Sequence, residues 1–420
     1  MADTNTFSIA SGSLTQYWSR RMQRKYFNTA IFKDLANFEE QSTLKKGYRV
    51  HRPYRSNLGV NSLGTDGAYS RQALTDTDEY LDVDTKKEVS FFVPEYEEIQ
   101  HNYKVINEYA DDMGKAIGER MDGDFLAQIA NATSDVDDND ISGGTSGNGV
   151  TVSSSNIYKL FTVAGRKLSR LNVSMDNRVA VLSPSVIEKL EEYEINRDTQ
   201  RGDKALANGF TGMNVLGFDV YMSNGLYWSG KLLFATNPTD GDTITLSDGV
   251  TTVTFTFEDT LSGTEGGVHI CSTAALTLDS LVSAIGTPGT DVAEATNTGF
   301  TGFNVGTAAS NNQLALIKKL TATDGTTYLT LTSSGLGHVA VGETLSATAD
   351  VWTAALQLQH CYFGRRKAID MVVQKYPNMA IKDRTGYIGK DVVSWNLYGL
   401  KTFTDGAREV VDVKINSSSF

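Results

Sequence analysis

The longest repeating pattern of apolar positions runs from Pro94 to Ala132 (PEYEEIQHNYKVINEYADDMGKAIGERMDGDFLAQIANA). Apolar side chains recur at Ile99, Tyr103, Ile106, Ala110, Met113, Ile117, Met121 and Phe125, three or four residues apart. That spacing predicts one amphipathic helix with a continuous core-facing stripe. Pro94 fits its first position, and Glu95, Glu97 and Glu98 suit the positive end of the helix dipole. At about 1.5 Å per residue the element would be roughly 55–60 Å long. Gly114, Gly118 and Gly123, with no heptad seam, argue against a coiled coil, and the charges exclude a membrane span. A single strut lying across a flat subunit remains, its glycines marking points of bending or close packing.

Period-two alternation precedes the strut. Gly47–Pro53 reads as a strand, a Gly/Asn/Ser-rich tip follows from Ser56 to Tyr69, and Glu79–Asp84 and Lys87–Val93 return. A long two-stranded excursion cannot bury its own faces, so a neighbouring subunit is expected to cover it. Elsewhere the pattern predicts helices over Leu14–Phe38 and Asn156–Leu171, and a buried strand at Arg178–Leu182. Ser183-Pro184-Ser185 then caps a helix over Val186–Tyr193. Gly217–Met222 is a further strand. Between Thr236 and Leu358 the pattern changes to Thr-rich strands. It predicts a hairpin over Asp242–Leu246 and Thr251–Phe257, a helix over Thr277–Ile285, and strands at Gln313–Ile317 and Thr327–Leu331. These read as a small α+β domain inserted as a unit. Strands at Ala368–Gln374, Asp391–Leu397 and Val410–Ile415 are expected to resume the main sheet.

Charge sharpens this division. The 420 residues carry a formal net charge of −12. The window from Thr236 to Leu358 holds twelve acids, two lysines and no arginine, whereas residues 1–60 hold ten Lys/Arg against four Asp/Glu. An acidic block thus sits inside a nearly neutral chain with a basic beginning. Arg20, Arg21, Arg24 and Lys25 form a cluster that reads either as a solvated helix face or as a contact for a polyanion or an acidic partner segment. The first residues lack the pattern of a signal peptide, and no run of 18 apolar residues occurs. Two distant cysteines, Cys271 and Cys361, fit folding in a reducing cytosol.

Candidate chemistry is sparse. No phosphate-binding loop, C-x-x-C, H-E-x-x-H or G-x-S-x-G motif is present, and the five histidines are scattered. Asp135, Asp137 and Asn139 match the start of a calcium loop, but Asp140 stands where Gly belongs and Ser146 where Glu belongs. A solvated loop is the simpler reading. The Arg201-Gly202-Asp203 tripeptide is short enough to arise by chance. No catalytic residue, metal or cofactor is expected, and the chain is read as structural rather than enzymatic.

The order of these features resembles the major capsid protein of tailed bacteriophages, the Hong Kong ninety-seven type of fold. The most specific local signals are Val179-Ala180-Val181-Leu182-Ser183-Pro184 and Gly217-Phe218-Asp219-Val220-Tyr221, with Glu409-Val410-Val411-Asp412-Val413 near the end. The resemblance implies an α+β capsid fold. Its parts are an N-terminal arm (1–46), an extended E-loop (47–93), a peripheral domain with the spine helix (94–155) and an axial domain (156–235). A β-rich α+β insertion domain (236–358) and a closing segment (359–420) complete it. Similar small domains occur inserted in other phage structural proteins.

The resemblance further implies a virion shell of pentamers and hexamers around double-stranded DNA, assembled in the host bacterial cytoplasm with no membrane. Tyr48, Arg49, Arg52, Arg55, Tyr69 and Arg71 would meet neighbouring subunits. Ile99, Tyr103, Ile106, Met113, Ile117, Met121 and Phe125 would form the spine's core face. Arg20, Arg21, Arg24 and Lys25 would face the interior or a scaffold. The N-terminal region lacks the long helical segment that serves some relatives as a built-in scaffold, which implies a separate scaffolding protein. A portal, non-specifically bound packaged DNA and a decoration protein complete the expected partners. Lys45 and Lys46 lie near the loop's base, so the Lys–Asn crosslink of some relatives is not expected. A tail-tube protein and a surface adhesin binding glycans through the inserted domain are the alternatives.

Overall fold

The computed structural model describes residues 31–95 (except 56, 57, 64, 68 and 70), 105–195, 214–293, 299–303, 308–347, 349–383 and 386–419. Arg20, Arg21, Arg24, Lys25, Ile99 and Tyr103 lie outside them, as does Leu14 to Ala30 of the expected first helix; the described helix there is Phe32–Leu35.

The early strands are β1 (Arg49–Arg55), β2 (Asp76–Asp82), β3 (Thr85–Pro94) and β4 (Ser134–Val136). Next come β5 (Arg178–Leu182), β6 (Asn214–Val215), β7 (Phe218–Met222) and β8 (Tyr227–Leu233). The acidic segment supplies β9 (Thr243–Ser247), β10 (Thr252–Glu258), β11 (Gly267–His269), β12 (Leu320–Asp324), β13 (Tyr328–Ser333) and β14 (Ala340–Glu343). The last are β15 (Leu358–Arg365), β16 (Asp370–Asp383), β17 (Gly389–Lys401) and β18 (Val410–Asn416). The chain divides into two units. Of the described residues, one comprises those of 31–32, Gly118–Arg365 and Glu409–Phe420, the other those of Lys33–Ile117 and Arg366–Arg408.

The larger unit is built on a nine-stranded sheet in the order β12-β13-β8-β15-β5-β7-β6, with β18 pairing β15 and β4 pairing β18. Arg178–Leu182 is buried throughout and runs parallel to β7, as expected of a β-branched strand covered on both faces. Pro184 opens the helix Pro184–Ile195, and the Ser183 hydroxyl accepts from the Val186 N–H at 3.4 Å. The helix Ile157–Arg170 packs Phe161 edge-on against Phe218 and Phe363, with centroids 6.0 and 5.1 Å away.

The acidic segment divides between two sheets. Its strands β11, β10, β9 and β14 form a sheet of their own, with the helix Ala274–Gly286 alongside. Strands β12 and β13 instead extend the main sheet beyond β8. One continuous core explains this: Trp228 and Leu232 of β8, Leu329 and Leu331 of β13, and Phe255, Phe257, Leu278 and Leu281 belong to the same buried cluster. The strand expected at Gln313–Ile317 is the end of a helix, Ala308–Ile317. Leu314 and Ile317 are buried one turn apart, and a run of four apolar residues does not distinguish the two periods.

The smaller unit holds a two-stranded ribbon, β1 with β2, and a three-stranded sheet in the order β16-β17-β3. Pro94 closes β3, opposite Gly389, on an edge strand where a missing N–H breaks no inner ladder, and Glu95 directly after it is helical. One expectation is corrected here. Strands β16 and β17 do not rejoin the main sheet. They pair with each other and with β3, while β15 and β18 return to it. The ribbon therefore ends at β2, and β3 belongs to a separate sheet.

The described long helix is Val105–Ala127, continued by a 3-10 turn over Gln128–Asn131. Ile106 and Met113 lie on this helix, and Ile117, Met121 and Phe125 are buried. Of its glycines only Gly123 packs closely. A Cβ there would stand 2.7 Å from the Cα and 2.8 Å from the N of Gly335, whereas Gly114 and Gly118 have nothing within 4 Å.

Candidate assembly surface

The ribbon is the most exposed regular element among the described residues of its unit. Its seven register pairs run from Arg49 opposite Asp82 to Arg55 opposite Asp76. At the base, Leu81 and Val83 are buried with Leu44, Val372 and Phe403. Beyond it the chain carries Leu58, Val60, Leu63, Tyr69 and Leu74 in the open, Val60 fully so. The Gln72 amide folds the tip back on itself, bonding both to the N–H of Gly59 (2.9 Å) and to its carbonyl (2.5 Å). An open recess of about 270 Å³ lined by Leu58, Leu63, Tyr69 and Gln72 results. Apolar side chains on a projecting ribbon are costly in water unless another surface covers them.

The six ribbon residues expected to meet a neighbour divide into three groups. Arg49 is held in place within the ribbon: its guanidinium donates to both oxygens of Asp82 (2.5 and 2.8 Å) and lies 3.7 Å from the centre of the Tyr80 ring. The Asp82 hydrogen bond raises the Arg49 pKa, and the same bond lowers that of the Asp82 carboxyl. Tyr48 stands beside Arg49, its ring centre 5.8 Å from the guanidinium. Arg52 turns instead toward its own unit, reaching Asp370 at 3.5 Å and the Phe403 ring at 5.1 Å. Arg55, Tyr69 and Arg71 remain exposed, with Tyr69 and Arg71 5.9 Å apart.

A second constellation, in the larger unit, has no sequence motif. On one face of the main sheet, the Ser229 hydroxyl lies 2.9 Å from His360 Nε2, and His360 Nδ1 lies 2.8 Å from Asp412 Oδ2. His360 and Asp412 are buried, and the second Asp412 oxygen has no hydrogen-bond partner. The residues are 131 and 52 positions apart in sequence, so only the pairing of β8, β15 and β18 brings them together. The spacing is that of a serine proton relay. Ser229, however, sits mid-strand between Leu358 of β15 and Thr332 of β13. Its neighbouring backbone N–H groups serve the sheet ladder, not a developing oxyanion. The network links three polar side chains on a sheet face and leaves one Asp412 oxygen without a hydrogen bond.

Asp137 belongs to the stretch that resembles the start of a calcium loop. Its carboxylate accepts from the N–H of Gly147 (2.7 Å), the Ser146 hydroxyl (2.9 Å) and the N–H of Asp140 (3.3 Å). Burial would raise its pKa, but these bonds and Lys167 outweigh it and hold the carboxyl below the usual value. Among the described residues no cluster of three His, Cys, Asp or Glu could hold a metal ion. No described helix is long and apolar enough to cross a membrane.

No family model matches the chain, and no curated protein does. Solved structures do match over nearly its whole length. A structure described as Mycobacterium phage Che8 is 14% identical with a TM-score of 0.55, over 99% of this chain and 98% of the other. The capsid structure of the cyanophage P-SCSP1u is 12% identical with a TM-score of 0.51, over 96% and 92%. The asymmetric unit of the bacteriophage PhiM1 mature capsid is 11% identical with a TM-score of 0.50, over 95% and 91%. The chain has the α+β fold of phage capsid structures.

Proposed function

We propose that this chain is the major capsid protein of a tailed bacteriophage, self-assembling as pentamers and hexamers into the icosahedral shell around double-stranded DNA. The observation that carries the reading is a capsid-type fold over nearly the whole chain. The ribbon with its uncovered apolar tip supports it. In this reading the ribbon is the E-loop. Leu58, Leu63 and Tyr69 at its tip, with Arg55 and Arg71, lie over a neighbouring subunit, where buried apolar area rather than any one ion pair holds the contact. The work is association, not catalysis. The acidic segment faces outward, because an inward acidic surface would repel DNA phosphates. Assembly takes place in the bacterial cytoplasm with a separate scaffolding protein and a portal, and a decoration protein is an optional partner on the outer surface.

The test is expression of the full chain with and without its scaffold, followed by negative-stain microscopy. Closed particles of icosahedral outline are expected. Hollow rods would indicate a tail-tube protein. Soluble monomers under every condition, with binding on a glycan array, would indicate an adhesin. A particle reconstruction with residues 236–358 on the lumen side would overturn the outward placement.

A further inference from the structure

One rung of the ribbon is fastened to its unit on both strands. Arg52 and Glu79 face each other across β1 and β2. Arg52 reaches the Asp370 carboxylate and the Phe403 ring. Glu79 accepts from the Thr404 N–H at 3.1 Å and from its hydroxyl. Toward the base Leu81 and Val83 are buried; away from it Pro53 and Asp78 are exposed. The rung is thus the last point at which the ribbon is fastened to its unit by charge, apart from the Arg408 guanidinium 5.7 Å from the Tyr54 ring.

Asp370 is covered independently of the ribbon. The Asn37 N–H donates to the Ile369 carbonyl (2.8 Å), and the Met371 N–H donates to the Asn37 carbonyl (2.9 Å). The Asn37 side chain closes over the carboxylate, donating to Oδ1 at 2.8 Å. Arg52 meets the other oxygen. Glu39 and Glu40 lie on the adjoining 3-10 turn, and Lys401 stands opposite in β17.

The geometry points to a proton-operated latch: ionised Asp370 holds Arg52 and helps fix the base of the ribbon, and protonation of Asp370 releases Arg52 and loosens that rung. Burial raises the carboxyl to about 6, with Glu40 and Glu39 adding to the rise and Arg52 and the Asn37 bond opposing it. Because Asn37 keeps the group covered when Arg52 leaves, detachment removes a stabilising cation and raises the pKa further. Attachment is therefore favoured above about pH 6 and lost as pH falls through that value. If the ribbon were instead what shields Asp370 from water, detachment would lower the pKa and the pH response would reverse. The inference concerns the smaller unit alone and does not depend on the proposed function.

The test is pulsed hydrogen exchange with mass spectrometry on the full chain at pH 7.5 and 5.0, corrected for intrinsic exchange with an unfolded control. In the wild type, peptides covering Arg49–Arg55 and Asp76–Asp82 should exchange about two- to fivefold faster at pH 5.0, the scale of one ion pair with a half-exposed partner. Asp370→Asn should be fast at both values, and Glu79→Gln should keep the response near pH 6. Protection across Gly389–Lys401, in the same unit as the ribbon, reports that each variant is folded. If Asp370→Asn does not fold, Arg52→Gln serves, and should abolish the pH response. Exchange independent of pH, exchange faster at pH 7.5, or a wild-type response in Asp370→Asn or Arg52→Gln would overturn the latch.

Discussion

Two glycines five residues apart on the long helix should respond to alanine in opposite directions. In a helix interior, Gly→Ala ordinarily stabilises by about 1 kcal/mol, because alanine has less backbone freedom to lose. Gly118 should show that gain, since nothing lies within 4 Å of its Cβ position. At Gly123 the added methyl would stand 2.7 Å from Gly335 Cα, 2.8 Å from Gly335 N and 3.1 Å from Ser334 C. All three are backbone atoms, so no side-chain rotation relieves the overlap. Gly335 itself sits at φ +87, which ties that turn to glycine. Overpacking costs about 1–3 kcal/mol, and a backbone obstacle puts this site toward the upper end. After the propensity gain, Gly123→Ala should lose about 1–2 kcal/mol, which places it about 2–3 kcal/mol below Gly118→Ala. Urea unfolding of the unassembled chain, followed by tryptophan fluorescence, reads this difference; the buried Trp228 and Trp352 belong to the same unit as both glycines. Equal stability of the two variants, or Gly123→Ala as the more stable, would show that the helix and the Gly335 turn are not in backbone contact. If the chain assembles as proposed, Gly118→Ala and Gly114→Ala should alter particle geometry only through neighbouring copies; unaltered particles would mean that nothing packs on that face.

Asn396 is fully buried, and neither its amide oxygen nor its nitrogen has a hydrogen-bond partner. Asn396→Leu should therefore stabilise by about 1–3 kcal/mol in thermal unfolding, and a lower melting temperature would contradict that. Asp137→Ala removes a helix cap and the anchor of Ser146 and Gly147, and should cost about 1–3 kcal/mol. Since the folded Asp137 pKa is depressed, its stabilisation is present above the ordinary carboxylate value of 3.8 and lost as pH falls through the lower folded value. An acid titration of stability should be flatter in the variant. Ser229 should not be labelled by a fluorophosphonate probe, and labelling abolished by His360→Ala would reopen an enzymatic reading.

The parts of this fold legible in the sequence were those with local causes. Pro184 after Ser183 announces a helix start wherever it occurs, and the run Arg178–Leu182 can hardly be anything but a covered strand. What escaped was decided by distant partners. Pro94 reads as a helix start, and only the pairing of β3 with β17 reveals that it also ends an edge strand. The run Gln313–Ile317 is too short to carry a period. The ribbon's exposure was visible in its Gly- and Asn-rich tip, but the approach of Arg52, expected to meet a neighbour, to Asp370, 318 residues away, has no local signal. The Ser229–His360–Asp412 network leaves no trace in sequence, since three strands brought together by the fold create it.

The sharing of β13 and β12 with the main sheet bears on how such a chain can change over generations. An insert that folds by itself can be gained, lost or exchanged as a cassette. Here removal of residues 236–358 would strip the outer neighbour from β8 and leave Trp228 and Leu232 without the Leu329 and Leu331 side chains that cover them. The segment has become a debt the rest of the fold cannot repay alone, so losing it requires compensating changes along a whole strand. Diversity should collect in the turns of its outer hairpin, such as Asp248 to Val250, where foreign peptides could also be displayed without disturbing the shared core.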